Sequence, residues 1–160
     1  MKFEQNIHNK IVTVETAQKY SAQWKSAHKS VVFTNGCFDI IHKGHVLYLA
    51  KARDLGSKLI VGLNSDASVR RLKGTQRPIK EEESRALTLA AFACVDLVVV
   101  FEQDTPLELI KSILPTILVK GKDYEIHEIV GADFVLENGG IVQTIDLEDG
   151  FSSSNYINRM

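Results

Sequence analysis

The chain has 160 residues, a formal net charge of −1 and 44% hydrophobic residues, which fits one soluble globular domain with a single substantial core. The near-zero charge gives no electrostatic basis for binding nucleic acid or an acidic membrane, and we expect neither partner. The longest apolar stretch, Leu97 to Phe101, is far shorter than the roughly 20 residues of a membrane span. Cys37 and Cys94 form no CxxC pair, which favours a reducing compartment and a cytoplasmic protein.

Short β-branched runs alternate along the chain with segments of helical periodicity, as in a parallel sheet with crossover helices. The predicted strands are 31–34, 58–63, 96–101, 116–119 and 140–145, and the predicted helices are 13–28, 44–54, 66–72, 81–94, 106–114 and 152–159. We therefore expect an α/β fold: a Rossmann-like, doubly wound, five-stranded parallel sheet with helices on both faces. The whole chain, 1–160, is expected to be one domain, with 1–29 a helical segment packed on it.

Three predicted helices begin with residues that can cap a helix N-terminus. Thr13 is expected to cap the first helix, and the Asn64-Ser65-Asp66 turn is expected to cap the short helix that follows it. Thr105 is expected to cap a later helix, with Pro106 at its first position and Glu108 completing a capping box.

The loop from Asn35 to His45 follows the first predicted strand and enters a helix, where free N–H groups and the helix dipole favour an anion. Gly36 and Gly44 would allow the backbone to approach a phosphate closely. His42 and His45 are three residues apart, so both rings can donate hydrogen bonds to phosphate oxygens and stabilise charge on phosphorus. Two alternatives stay open: the histidines satisfy local backbone groups, or they form an open zinc site with Cys37.

Other polar residues follow strands at the same edge of the predicted sheet. Asn64 and Asp66 could face a ribose or base, or simply form an Asx turn. Lys73 belongs to a basic stretch that is either a solvated face or the source of a flexible cation for a triphosphate. The stretch consists of Arg70, Arg71, Lys73, Arg77 and Lys80. Arg85 is expected to pair with Glu81 or Glu82 on its own helix.

Two later segments can also be interpreted either as ligand-binding segments or as ordinary local structure. In Lys120-Gly121-Lys122-Asp123 the glycine would let the backbone approach a ligand, although a plain surface turn explains the residues as well. The segment Asp149-Gly150-Phe151 leads into Ser152, Ser153 and Ser154, whose hydroxyl groups could bind the β- or γ-phosphate of a nucleotide. An ordinary N-cap would need only one of these serines.

These blocks together resemble a known family of enzymes. The His42-Lys43-Gly44-His45 loop resembles the HxGH signature of cytidylyltransferase-like nucleotidyltransferases. The further blocks Thr34–Asp39, Asn64–Asp66, Arg71–Gly74 and Val119–Tyr124 resemble the heptose-1-phosphate adenylyltransferases, the ADP-heptose synthase family. The resemblance runs from about Lys10 to the C-terminus. The family usually has Ser-Thr-Thr where this chain has Ser152-Ser153-Ser154, so hydroxyl groups are kept at both altered positions.

The resemblance implies transfer of AMP from ATP to a heptose 1-phosphate, with Mg²⁺ held mainly by the phosphates and no dedicated protein ligands for it. It implies His42, His45 and Lys73 as catalytic residues, and Asp39 and Arg85 as contacts of the acceptor substrate. The implied nucleotide-binding residues are Thr34, Asn35, Gly36, Cys37, Phe38, Gly44, Asn64, Asp66, Lys120, Gly121, Asp123, Ser152, Ser153 and Ser154. It also implies a homodimer or higher homo-oligomer, and a stand-alone enzyme that works after a separate heptose kinase.

Two other functions fit the residues. A cytidylyltransferase acting on glycerol 3-phosphate or a similar alcohol phosphate would need the same loop, because base selection depends on backbone contacts. A nucleotide-binding regulatory module without turnover would share the fold. The retention of both histidines, the loop lysine and the serine-rich helix start argues against the module.

Overall fold

The computed structural model describes residues 2–147 and 152–160 of the chain. Five parallel strands form one sheet in the order β3-β2-β1-β4-β5. The strands are β1 (Val31–Gly36), β2 (Lys58–Asn64), β3 (Leu97–Phe101), β4 (Ile117–Gly121) and β5 (Ile141–Ile145). The expected Rossmann-like α/β fold is confirmed. Because the strand order reverses direction between β1 and β4, the switch point of the sheet lies there.

Helices cover both faces of this sheet. Within residues 2–147 and 152–160, none of the helices has the length and hydropathy that a membrane span requires. The helices are α1 (Phe3–Asn9), α2 (Val14–Ser26), α3 (Lys43–Asp54), α4 (Asp66–Lys73), α5 (Glu82–Ala90), α6 (Leu107–Ile113), α7 (Ala132–Glu137) and α8 (Ser153–Asn158), with a short 3₁₀ turn at Ile126–Glu128. Helices α3 and α5 share one buried apolar core, and α2, α6 and α7 share the other.

Each strand supplies both cores, because successive side chains of a strand point to opposite faces. Val32 lies in the core beneath α3 and α5, whereas its neighbours Val31 and Phe33 lie in the core beneath α2 and α6. All three side chains are fully buried. Burial on both faces explains why these strands appear in the sequence as continuous apolar runs without polar alternation.

Two of the three expected helix caps are confirmed. The Thr13 side chain accepts a hydrogen bond from the Thr16 N–H at 3.2 Å, and that of Ser65 accepts one from the Ser68 N–H at 3.1 Å. The expectation for Thr105 is wrong: α6 begins at Leu107, with Pro106 at the N-cap position and no side-chain cap. A proline side chain has no hydrogen-bond acceptor and cannot cap the helix. The helix is instead packed on the sheet through its buried residues Leu109, Ile110 and Ile113.

The helices differ from expectation where the local signal is weak. Helix α1 was not predicted; it is seven residues long and buries none of them fully. Helix α7 was not predicted either, and its six residues follow Gly131, whose φ is 85°. Helix α5 was predicted to reach Cys94 but ends at Ala90, because the chain must turn before Asp96, whose N–H bonds the Leu59 carbonyl at 2.9 Å.

The N-terminal segment contacts the sheet at the outer edge of β3. Val98 donates its N–H to the Lys10 carbonyl at 2.8 Å, and Val12 donates to the Val98 carbonyl at 3.0 Å. Farther along, the buried Ser21 hydroxyl donates to the Ile113 carbonyl at 2.7 Å. The two bonds of Val98 satisfy backbone groups that an open edge strand would leave unpaired, whereas the Ser21 bond joins α2 to the end of α6.

The turn from α7 into β5 requires a glycine at position 140. A Cβ there would lie 2.6 Å from Val135 Cγ1 and 3.0 Å from the backbone oxygens of Thr116 and Val135. We predict that Gly140→Ala lowers the free energy of unfolding by about 1–3 kcal/mol, because two backbone atoms cannot move aside easily. Urea unfolding followed by circular dichroism measures the loss.

The adjacent Gly139 provides a matched control for this prediction. Its φ is +80° and a Cβ there would meet open space. Asparagine tolerates that backbone region, so Gly139→Asn should cost less than about 1 kcal/mol. Equal losses for the two variants would contradict the steric explanation.

Candidate active site

An open cavity of about 290 Å³ lies at the carboxyl edge of the sheet, over β1 and β4 and against the start of α3. Its wall includes most of the residues proposed from the sequence: Asn35, Gly36, Cys37, Phe38, Asp39, His42, Gly44, His45, Lys73, Lys120, Gly121, Ser152, Ser153 and Ser154. Four separate segments of the chain therefore meet at the switch point, where ligands of doubly wound sheets bind.

The two histidines of the loop cap the start of α3 reciprocally. His42 is the N-cap residue, and its Nδ1 accepts a hydrogen bond from the Gly44 N–H at 3.1 Å. His45 lies in the first turn, and its Nδ1 accepts from the His42 N–H at 3.4 Å. A neutral imidazole that accepts at Nδ1 carries its proton on Nε2. The hydrogen bonds thus assign both rings the same tautomer, with Nε2–H as the donor.

Both rings are held in the neutral form. Burial lowers the pKa of His42 below its ordinary value of 6.5. Burial lowers the pKa of His45 to about 4, and the charge of Lys73 and the charge that His42 would gain on protonation act in the same direction. The Ile40 carbonyl opposes this shift. A protonated ring could not accept at Nδ1, so protonation would also break the reciprocal cap. At neutral pH the site therefore presents two neutral donors.

Aromatic rings surround the histidine pair. His42 stacks on His45 with ring centroids 3.8 Å apart, and Phe38 lies 5.2 Å from His45. Phe38 has a φ of 46°, and its ring lies against Gly36, where an added Cβ would approach it to 3.0 Å. On the other side, Tyr156 of α8 stacks on His42 at 5.3 Å. Phe38 therefore packs against the histidine loop as well as lining the cavity.

Arg85 joins the segments that form the edge of the cavity. The residue is 1% exposed. Its Nη1 donates to the carbonyls of Cys37 and Asn64, each at 2.8 Å. Its Nε donates to the Lys80 carbonyl at 2.9 Å, and Nη2 pairs with the Asp66 carboxylate at 2.7 Å. Four elements are therefore tied to one guanidinium.

This geometry corrects the sequence interpretation of Arg85. Its acidic partner is Asp66 of α4, not Glu81 or Glu82 on its own helix. Glu82 instead accepts a hydrogen bond from the Asp66 N–H at 3.1 Å. The guanidinium lies beneath the cavity and is absent from its wall, so the geometry does not support a direct contact with an acceptor phosphate.

Asp39 lies on the cavity wall, but its carboxylate faces the protein. It accepts hydrogen bonds from the Lys80 N–H at 2.9 Å, the Ile79 N–H at 2.8 Å and Arg77 Nε at 2.9 Å. Burial opposes ionisation, but these hydrogen bonds and the Arg77 charge outweigh it and lower the pKa of Asp39. The carboxylate thus anchors the loop between α4 and α5 through its backbone, although most of the loop's side chains are exposed.

Two lysines reach the cavity from opposite sides. Lys73, the last residue of α4, is exposed, and its charge acts on His45. Lys120 Nζ donates to the Asn35 carbonyl at 3.3 Å and lies 5.7 Å from the centre of the Tyr124 ring. Burial lowers the pKa of Lys120. The structure thus provides one exposed cation and one hydrogen-bonded, largely buried cation at the same cavity.

Several proposed nucleotide-binding side chains lie away from the cavity wall. Thr34 is fully buried and its hydroxyl is 2.8 Å from the Tyr48 hydroxyl. Asn64 donates to the Ser68 hydroxyl at 3.0 Å, and Asp66 binds Arg85. Asp123 is exposed at the end of β4 and does not line the cavity. The polar turn at Asn64–Asp66 thus builds the frame beneath the site.

Three wall residues were not proposed from the sequence: Tyr48, Tyr124 and Leu147. Tyr48 follows His45 by three residues on α3, so helical spacing could have indicated it. Tyr124 directly follows the Lys120–Asp123 block. Leu147 gave no signal, since its place against Gly121 depends on the path of the chain after β5. Of the C-terminal motif, Ser152–Ser154 lie on the wall, whereas Asp149, Gly150 and Phe151 lie outside the described residues.

No group of three or more histidine, cysteine, aspartate or glutamate side chains within residues 2–147 and 152–160 is arranged to hold a metal ion. Cys37, His42 and His45, considered above as zinc ligands, do not form such a group. Both imidazoles already accept backbone hydrogen bonds at Nδ1.

The hydrogen bonds of Arg85 predict a large stability loss on substitution. Arg85→Lys keeps the charge but cannot reach the carbonyls of Lys80, Cys37 and Asn64 together, so buried acceptors lose their donors. We expect a loss of about 3–5 kcal/mol in the free energy of unfolding, measured by urea titration.

Arg71 is the matched control for this prediction, because its ion pair with Asp104 is about half exposed. Arg71→Lys should cost less than about 1 kcal/mol. The role assigned to Arg85 would be wrong if its variant were as stable as the Arg71 variant.

The reciprocal cap predicts how His45 titrates. By NMR, the His45 ring in the folded protein should titrate near pH 4, against an ordinary value of 6.5 in the urea-unfolded chain. Since the unfolded chain binds this proton more readily, the cap's contribution to stability is complete above pH 6.5 and declines as the pH falls toward 4. A titration midpoint near 6.5 in the folded protein would contradict this.

The cytidylyltransferase-like family model matches residues 33–159 of the chain. A curated relative, the bifunctional protein HldE of Syntrophotalea carbinolica, is 60% identical over 132 residues, which is 82% of this chain and 27% of the relative. The bifunctional protein HldE of Azorhizobium caulinodans is 52% identical over 147 residues, 92% of this chain and 31% of the relative. The chain thus spans about a third of the length of these curated relatives.

A solved structure gives the same result. The lipopolysaccharide core biosynthesis protein from Thermoplasma volcanium GSS1 superposes with a TM-score of 0.62 and 27% identity, covering 75% of this chain and 97% of that one. The region matched by the family model, residues 33–159, includes the whole sheet except the first two residues of β1. The chain belongs to the cytidylyltransferase-like family of nucleotidyltransferases.

Proposed function

We propose that this chain transfers AMP from MgATP to a heptose 1-phosphate, releasing pyrophosphate and forming ADP-heptose for lipopolysaccharide core or another surface glycan. One observation carries the reaction type: two neutral histidines with the same tautomer lie at a helix start that opens onto a cavity. Such fixed N–H donors suit charge that develops on a phosphoryl group.

The choice of substrate is supported by likeness. The blocks Thr34–Asp39 and Val119–Tyr124 resemble the heptose-1-phosphate adenylyltransferases, and the curated relatives are named HldE. The solved relative from Thermoplasma volcanium is named for lipopolysaccharide core biosynthesis. The cavity wall is compatible with this substrate, since Lys73, Lys120 and three serines supply donors for phosphate and sugar oxygens.

The reaction needs no covalent enzyme intermediate. A phosphate oxygen of the acceptor attacks the α-phosphorus of ATP and forms the new P–O bond. The bond from the α-phosphorus to the oxygen that bridges it to the β-phosphate breaks in line, and its electron pair leaves with pyrophosphate. The acceptor oxygen is already ionised at neutral pH, so no general base is required. Catalysis is then positioning and electrostatic stabilisation.

Each proposed catalytic residue has a distinct part in this scheme. His42 and His45 donate from Nε2 to oxygens on the α-phosphorus and stabilise the charge of the transition state. Lys73 closes on the triphosphate as a flexible cation, whereas Lys120 is fixed by the Asn35 carbonyl and holds one position. The hydroxyl groups of Ser152–Ser154 bind the departing phosphates.

The donor set of the cavity fits magnesium carried by the nucleotide. Asp39 is the one carboxylate among the described residues of the wall, and its oxygens accept from Arg77, Ile79 and Lys80. Protein ligation would therefore depend on the hydroxyl groups of Ser152–Ser154. The bound ion would supply charge neutralisation on the triphosphate.

Residues off the wall act through those on it in this proposal. Arg85 and Asp66 hold the edge of β2, and Asp39 holds the loop that follows Lys73. Thr34 acts through Tyr48, and Asn64 through Ser68. Backbone contacts to the nucleotide would come from four wall residues, Gly36, Cys37, Gly44 and Gly121. Asp123 would contact the nucleotide from the rim of the cavity.

We further propose that residues 1–160 form one nucleotidyltransferase unit with 1–29 packed on it, which the bonds of Val98 and Ser21 support. Its acceptor would come from a heptose kinase, a separate protein if this chain acts alone. A cytoplasmic homodimer fits the resemblance and the cytosolic supply of ATP.

The proposed AMP transfer predicts which substrate pair reacts faster and how the kcat of a His45 variant changes. Wild-type protein should release pyrophosphate from MgATP with heptose 1-phosphate, and more slowly from CTP with glycerol 3-phosphate. His45→Ala should lower kcat about 100- to 1,000-fold, as does the loss of one donor to a developing oxyanion. A coupled pyrophosphate assay measures both.

His127→Ala is the control, because that ring lies exposed on the 3₁₀ turn outside the cavity. Faster turnover with CTP and glycerol 3-phosphate would replace the proposed substrates. Tight ATP binding without turnover of any acceptor would favour the regulatory module. Wild-type kcat in the His45 variant would contradict the mechanism.

A further inference from the structure

Tyr156, on the C-terminal helix α8, extends the aromatic cluster of the site beyond the histidine loop. Its ring lies 5.3 Å from that of His42, with an angle of 15° between the two planes. His42 in turn stacks on His45 at 3.8 Å and 28°, and His45 contacts Phe38 at 5.2 Å. Four rings from three elements therefore form one continuous column.

Helix α8 is fastened to the histidine loop by a second contact. The Ser153 hydroxyl donates to the Ile40 carbonyl at 3.0 Å, two residues before His42. Ser153 and Tyr156 are three residues apart, so both face the same side of the helix. The start of α8 is held by Ser152, whose side chain accepts from the Asn155 N–H at 3.0 Å. The ring of Tyr156 is therefore presented to His42 by anchored backbone.

The position of Tyr156 is not explained by the buried core. Neither apolar core includes a described residue of α8, and the Tyr156 side chain is half-buried. Its ring instead shields His42, the N-cap residue whose orientation decides where a proposed catalytic N–H points. A stacked ring restricts rotation of the imidazole and keeps water from its face.

We propose that Tyr156 is a positioning residue: by stacking on His42 it couples the C-terminal helix to the orientation of that ring during nucleotidyl transfer. Only the turnover part of this inference rests on the proposed function. The charged or titratable groups around the His42–His45 pair are Lys43, the next residue in the chain, Lys73, whose charge acts on His45, and the two rings themselves. None of these groups changes when Tyr156 is replaced.

The test uses three variants of the full chain. Tyr156→Ala removes the ring, Tyr156→Phe keeps the ring without its hydroxyl, and Tyr156→Leu keeps an apolar side chain without a flat face. Tyr20→Ala is the matched control, because Tyr20 also contacts a ring, that of Trp24 at 5.4 Å and 38°, but does not line the cavity. Circular dichroism checks that each variant folds.

The first readout is independent of turnover. NMR titration of His42 should show a pKa below 6.5 in wild type and Tyr156→Phe, and a rise toward 6.5 in Tyr156→Ala. The rise follows because burial is what lowers the pKa of His42. An unchanged His42 titration in a folded Tyr156→Ala variant would overturn the proposal even if the enzyme used quite different substrates.

The second readout separates positioning from binding. In Tyr156→Ala and Tyr156→Leu, kcat should fall roughly tenfold while KM for ATP stays within a factor of about two, since orientation is lost and the phosphate contacts remain. Tyr156→Phe and Tyr20→Ala should turn over like wild type. Wild-type kcat in both ring-less variants would overturn the proposal. If wild type itself transfers no nucleotide, the proposed function fails and the titration still decides the coupling.

Discussion

The edge of the cavity depends on the hydrogen bonds of one buried group, the guanidinium of Arg85. It binds the carbonyls of Cys37, Asn64 and Lys80 and the carboxylate of Asp66. These groups belong to the loop after β1, the end of β2, the loop before α5 and the start of α4. An arginine can hold all four because its donors are fixed in one plane. The frame beneath the site is thus electrostatic, although apolar cores hold the sheet itself.

Above this frame, the histidine loop serves two purposes with the same atoms. The Nδ1 atoms of His42 and His45 cap α3, which fixes the ring positions and leaves Nε2 as the proton-bearing atom of each neutral ring. The three-residue spacing is therefore needed both for the reciprocal cap and for aiming two donors alike. Burial keeps the rings neutral, so the cap and the donor function persist at the pH of the cell.

Much of this could be predicted from the sequence. Each strand contains a short run of β-branched or apolar residues, and the Thr13 and Ser65 caps were identified because a cap depends on residues within one turn. The prediction failed for α1 and α7, which are short and gain their stability from packing. It also failed for Arg85, because local spacing offered Glu81 and Glu82 as partners while the fold brought Asp66 within 2.7 Å.

The fold class, the histidine pair and the segments that meet at the cavity could be predicted from the residues, since they follow from periodicity, local capping and strand ends. Which polar groups face the cavity and which support it depends on contacts that form only when distant segments pack together. The family resemblance implied that Asp39 and Arg85 contact the substrate, yet groups distant in sequence already bind them. Asp39 accepts from the Lys80 N–H, and Arg85 donates to the carbonyls of Cys37 and Asn64. Tyr156 carried no signal, because its stacking on His42 depends on where the C-terminal helix docks.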